Sequence, residues 1–130
     1  MQTILLIEND PATLVARSLI LRCFGYTVLE ADSRGEAWSL CAEHVGPIHL
    51  IMMEASLDPD SVYEFFTRLQ LVHVEIRALL LTDASSARMA EKFAMPCECS
   101  FLQRPFRAEA LADSIRALLD GPKAKASTFA

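Results

Sequence analysis

Short, almost uninterrupted apolar runs alternate with longer segments in which apolar residues recur every third or fourth position, along most of the chain. Thr3 to Ile7 (TILLI) is the first such run, and a strand with no polar alternation is what a parallel sheet covered on both faces requires. It ends in Glu8-Asn9-Asp10-Pro11, where Asp10 suits a helix cap and Pro11 the first turn. Ala12, Val15, Ala16, Leu19, Ile20 and Cys23 then recur at helical spacing and mark the apolar face of a first helix, which Gly25 closes. Tyr26 to Ala31 reads as the second strand. Ser33 with Glu36 forms a capping-box pair opening a second helix to about Val45, stopped by Gly46-Pro47. Ile48 to Met53 is the third strand, and Asp58-Pro59 starts a third helix with Val62, Phe65, Phe66 and Leu69 on its apolar side. Ala78 to Leu81 is the core of the fourth strand, followed by a weaker helix from Ala84 to about Phe93. Ser100 to Gln103, ended by Pro105, is the fifth strand. The last helix runs from about Ala108 to Leu119, with Leu111, Ile115, Leu118 and Leu119 inward. Residues 121–130 show no periodicity and read as a flexible C-terminal tail behind a domain of residues 1–120.

Five strands alternating with five helices predict an α/β fold: a doubly wound, five-stranded parallel sheet with helices on both faces. The flavodoxin-like strand order 2-1-3-4-5 suits five such units, and chemistry in these folds gathers at the carboxyl ends of the strands.

Length and composition narrow the class. At 130 residues the chain makes one domain, large enough to bury a core without disulfides or metals. Hydrophobic residues make up 52% and charged residues 22%, which is globular rather than disordered. Net charge is −5, with no Lys/Arg cluster, so no nucleic-acid surface is expected. No run approaches the roughly 20 apolar residues of a membrane span, so a cytoplasmic, membrane-independent protein is expected. Cys23, Cys41, Cys97 and Cys99 sit in apolar or helical contexts and read as free intracellular thiols. Cys97-Glu-Cys99 lacks a second ligand pair at zinc-finger spacing.

The strand ends carry Glu8 and Asn9, then Glu54, then Thr82 and Asp83, then Arg104-Pro105. With the stretches ILLIENDP, GYTVLEADSRGEAW, IHLIMMEASLD, ALLLTD and FLQRPF, the chain resembles the response-regulator receiver family over about residues 3–120. The separations of 46 between Glu8 and Glu54, 28 from there to Thr82 and 22 on to Arg104 fit that family's layout. No single motif is specific. Their order and spacing together carry the resemblance.

The resemblance implies a site in which an aspartate after the third strand accepts a phosphoryl group from phosphohistidine. An acidic pair helps to hold Mg²⁺, a lysine grips the phosphoryl group, and a Ser/Thr hydroxyl swings in to bond it. That swing is coupled to an aromatic on the fifth strand, a position matched here by Phe101. Three positions depart from the pattern. Glu54 stands where the acceptor aspartate belongs, and its extra methylene intrudes by roughly 1–1.5 Å into phosphoryl space. A misplacement of about 1 Å can cost on the order of a hundredfold in rate. Asn9 replaces a metal-binding carboxylate, leaving Glu8 as its acidic partner, so Mg²⁺ is expected to bind weakly or not at all, and no cofactor is expected. Arg104 replaces the lysine, and a planar guanidinium is not interchangeable with an ammonium. An ion pair between Glu54 and Arg104 is the expected compensation, with Thr82 a vestigial switch hydroxyl.

Other residues have plainer roles. Asp10 suits a cap as well as a metal ligand, and Asp58 reads as a helix cap. His44, His49 and His73 lie on separate elements with no shared ligand spacing. Trp38, Met52, Met53, Met89 and Met95 read as packing.

The leading functional reading is an atypical receiver in two-component phosphorelay signalling, acting as a protein-interaction module rather than an enzyme. A receiver that still accepts phosphate through an altered site remains open, favoured by Glu8 and Thr82. A flavodoxin-like cofactor carrier or small enzyme would need a phosphate-cradling loop after the first strand, where the chain instead supplies negative charge. Partners implied by the resemblance are a histidine kinase, a phosphotransfer protein or an effector, and a second copy packed through helix four, strand five and helix five.

Overall fold

The computed structural model describes residues 2–55 and 58–127, among which strands and helices alternate without exception. The order is β1 (Thr3–Ile7), α1 (Pro11–Cys23), β2 (Thr27–Ala31), α2 (Arg34–Glu43), β3 (Leu50–Glu54), α3 (Pro59–Leu69), β4 (Arg77–Thr82), α4 (Ser86–Lys92), β5 (Cys99–Gln103) and α5 (Ala108–Ser127).

Helix starts follow the local chemistry. The Asp10 carboxylate accepts from the Thr13 backbone N–H at 2.9 Å, and Pro11 opens α1. Ser33 Oγ accepts from the Glu36 N–H at 3.1 Å, while the Glu36 carboxylate accepts from the Asp32 N–H at 2.6 Å, one residue earlier than a strict capping box. Asp58 Oδ1 accepts from the Ser61 N–H at 3.3 Å and caps α3. Gly25 takes φ +96°, a left-handed conformation that turns the chain out of α1 into β2.

The strands form one parallel sheet in the order β2-β1-β3-β4-β5. Alternate residues of each buried strand feed two cores. Leu5, Ile7, Ile51, Met53, Ala78 and Leu80 pack under α2, α3 and α4, around the fully buried Phe66. Ile4, Leu6, Leu50, Met52, Leu79 and Leu81 pack on the other face, under α1 and α5. Met89 is buried and Met95 lies at the edge of the first core, so these methionines serve as packing.

Two expectations need correction. Ala12, Val15, Ala16, Leu19, Ile20 and Cys23, the apolar line on α1, all face outward. Leu14, Arg17, Ser18 and Leu21 face the sheet instead, about half a turn away. The inner line is half polar because the amino-terminal half of α1 passes the strand-end crevice, where Arg17 finds acidic partners. The last helix does not end near Leu119 but continues to Ser127, where Lys123, Ala124, Lys125 and Ala126 supply strong helix formers. Residues 128–130 of the expected tail lie outside the described residues.

Candidate functional site

Parallel register brings the carboxyl ends of β1, β3, β4 and β5 together. Glu54 pairs with Leu81 across β3 and β4, and Thr82 with Gln103 across β4 and β5. Beyond the last paired residues, the Ala55 N–H donates to the Leu81 carbonyl at 2.7 Å and the Arg104 N–H to the Thr82 carbonyl at 2.8 Å. These bonds fix where the first residue of each loop leaves the sheet.

The side chains there form an alternating chain of charges. Arg104 Nη1 donates to Glu54 Oε1, and Arg104 Nε donates to Asp83 Oδ1 at 2.9 Å. From the other side, Arg17 Nη1 lies 3.5 Å from the same Glu54 oxygen and 2.7 Å from Glu8 Oε1. The sequence Glu8–Arg17–Glu54–Arg104–Asp83 therefore crosses the whole crevice. Exposure of its three carboxylates rises from 6% at Glu8 to 44% at Glu54 and 84% at Asp83. Screening by water accordingly weakens the outer links, and the Glu8–Arg17 link matters most for stability. Arg104 is pushed above the ordinary guanidinium value, foremost by its hydrogen bond to Glu54, with Asp83 adding to it against some burial.

The remaining strand-end residues are distributed around this chain. Asn9 is exposed, and Asp10 is turned to Thr13, which holds its carboxyl below the usual carboxylate value. The second Glu8 oxygen accepts from the Asp10 backbone N–H at 2.9 Å. Thr82 is buried, and its hydroxyl oxygen accepts from the Ala84 N–H at 3.0 Å, so it bends into its own loop. Pro105 follows Arg104 through a cis peptide bond. Phe101 is half-buried on β5 and tilts against Phe93 with ring centroids 5.7 Å apart. Glu54 lines two clefts, one with Thr82, Asp83 and Lys92, the other with Glu8, Asn9 and Asp32.

Residues read as structural stand apart from this crevice. Arg68 lies over the half-buried Trp38 ring, 5.0 Å from its centroid. His44 and His49, expected on separate elements, sit at the two ends of one loop between α2 and β3, and with His73 they border one cleft at the amino-terminal ends of the strands. There His49 Nδ1 accepts from the Thr3 N–H at 2.9 Å, and His73 Nε2 bonds the Cys41 carbonyl at 2.9 Å. Among the described residues no group of three or more His, Cys, Asp or Glu is placed to hold a metal, and no helix is long and apolar enough to cross a membrane.

Arg17 is the site residue that the sequence reading missed. Its signal was faint: one basic residue on the line Leu14, Arg17, Ser18, Leu21, two turns beyond an acidic strand end.

No family model matches the chain. It is similar to the sensor kinase CckA of Brucella abortus, 24% identical over 118 residues, which cover 91% of this chain and 12% of that protein. Among solved structures, a response regulator from Thermotoga maritima superposes with a TM-score of 0.73 at 14% identity, covering 93% of this chain and 99% of that one. The chemotaxis protein CheY4 of Vibrio cholerae gives 0.74 at 20%, covering 92% and 99%. A response regulator receiver protein from Sinorhizobium medicae gives 0.74 at 16%, covering 92% and 95%. With the same five βα units wound in the same strand order, this chain has the fold of the response-regulator receiver domains.

Proposed function

We propose that the chain is a receiver domain of two-component signalling that works as a protein-interaction module without phosphoryl transfer to its third strand. The observation that carries this reading is the pairing of Glu54 with Arg104 at the ends of β3 and β5. A receiver's acceptor carboxylate has to be free to attack, and its conserved cation has to be free to grip the phosphoryl group. Here the two groups neutralise each other, and the carboxylate is one methylene too long for the task. The Thr82 hydroxyl oxygen, at the switch position, is turned back to accept from the Ala84 N–H.

A partner role is supported by the outward face of α1, where Val15 and Leu19 are 64% and 62% exposed beside Ala12, Ala16 and Ile20. Apolar side chains gathered on one helix face suit burial against another protein. Likeness to part of a sensor kinase favours a histidine kinase, a phosphotransfer protein or an effector as that partner.

Intact mass of the protein after incubation with acetyl phosphate and Mg²⁺ tests the reading. No stable gain is expected. Gain of one phosphoryl group on Glu54 would establish the conventional phospho-accepting receiver instead.

A further inference from the structure

The receiver resemblance implies a divalent cation held by acidic side chains after the first and third strands. The side chains present do not fit one. Both Glu8 oxygens are engaged, Oε1 by Arg17 at 2.7 Å and Oε2 by the Asp10 N–H at 2.9 Å. Asn9 is neutral and exposed, and the Asp10 carboxylate is committed to capping α1. One nitrogen, Arg17 Nη1, already stands between the carboxylates of Glu8 and Glu54, 2.7 Å from one and 3.5 Å from the other.

We propose that Arg17 is the resident cation of this crevice, a guanidinium in the electrostatic place of a divalent metal. An ionised carboxylate as buried as Glu8 demands a counter-charge, and Arg17 supplies it from within the fold. A tethered cation is present at all times, so a metal ion has to displace a group that never leaves the neighbourhood. Arg17 also carries a directional load that a metal does not, because it ties α1 to the ends of β1 and β3. The crevice is thereby made indifferent to Mg²⁺, and α1 is held in one position against the sheet. This deepens the phosphorylation-independent reading and rests on it only in taking Glu54 as an unmodified carboxylate.

Mn²⁺ titration, followed by the electron paramagnetic resonance of the free ion and by Tm, tests the inference on wild type, Arg17→Lys, Arg17→Met and the double variant Arg17→Met/Glu8→Gln. Wild type and Arg17→Lys are expected to bind no Mn²⁺ in the crevice. Arg17→Met is expected to bind one equivalent at concentrations at least tenfold below the highest at which wild type stays empty, the change expected on removing a unit charge within about 4 Å. Its Tm should rise with the metal, and the double variant should lose both effects. If Arg17→Met is unfolded in buffer, the same titration is followed as recovery of its circular dichroism. Saturable Mn²⁺ binding by wild type, or an Arg17→Met protein that neither binds nor recovers with Mn²⁺, would overturn the inference. Acetyl phosphate treatment of wild type, read separately by intact mass, shows whether the phosphorylation-independent reading fails instead.

Discussion

Arg17 on α1 and Glu8 at the end of β1 form a direct ion pair with 2.7 Å between Nη1 and Oε1, both side chains largely shielded from water. Removing one partner of such a pair leaves the other charge buried and alone, which costs more than the pair itself contributes. Arg17→Met is therefore expected to lose about 3 kcal/mol of stability in urea unfolding without metal. Glu8→Gln combined with Arg17→Met should recover most of that loss. Equal losses in the single and double variants would refute the coupling.

The outer link behaves differently. Glu54 is 44% exposed, so solvent screens its pair with Arg104. Arg104→Ala is expected to cost about 1 kcal/mol or less in urea unfolding, and less still at high salt. A loss of several kcal/mol that salt leaves unchanged would place this pair among the buried interactions.

The fold was legible because its signals are redundant. TILLI has no polar alternation, so it reads as a parallel strand buried on both faces, and it is buried at every position. Asp10, Ser33 and Asp58 announce helix starts, and each caps its helix. Residues of the crevice were legible as strand-end types at receiver spacing. Arg17 was not, because hydrophobic periodicity on α1 points to the wrong face. Apolar spacing assumes that a helix buries its greasiest side, and α1 instead turns a mixed line of Leu14, Arg17, Ser18 and Leu21 to the sheet. Nor could spacing reveal that His73, on the loop between α3 and β4, borders one cleft with His44 and His49 of the loop between α2 and β3.

That inversion of α1 has a direct consequence for mutagenesis. Leu19→Glu, at an exposed position, is expected to change stability by no more than about 0.5 kcal/mol. Leu21→Ala, at a fully buried position, should cost about 2–5 kcal/mol. Urea midpoints of the two variants check the pair, and the reverse ranking would restore the apolar line as the buried face.

Thiol chemistry offers a pH prediction. Burial pushes Cys97 and Cys99 up to about 12 and Cys41 up to about 11, from an ordinary value of 9.0, while Cys23 is exposed. At pH 8 the thiolate fraction at Cys41 is about one in a thousand, and lower still at the other two. Iodoacetamide should label Cys23 first in the folded protein, the half-buried Cys97 and Cys99 more slowly, and Cys41 only after unfolding. Between pH 9 and the folded values these three thiols keep protons that the unfolded chain loses, so stability should fall as pH rises. Rapid labelling of Cys41 under native conditions would contradict its burial.

Whether the crevice is already filled by its own charges is tested most directly by a ¹H–¹⁵N spectrum recorded while beryllofluoride and Mg²⁺ are titrated into the wild-type protein. The amide signals of Glu54, Thr82 and Arg104 are expected to stay where they are at every concentration. Saturable shifts of those three signals would contradict a filled crevice.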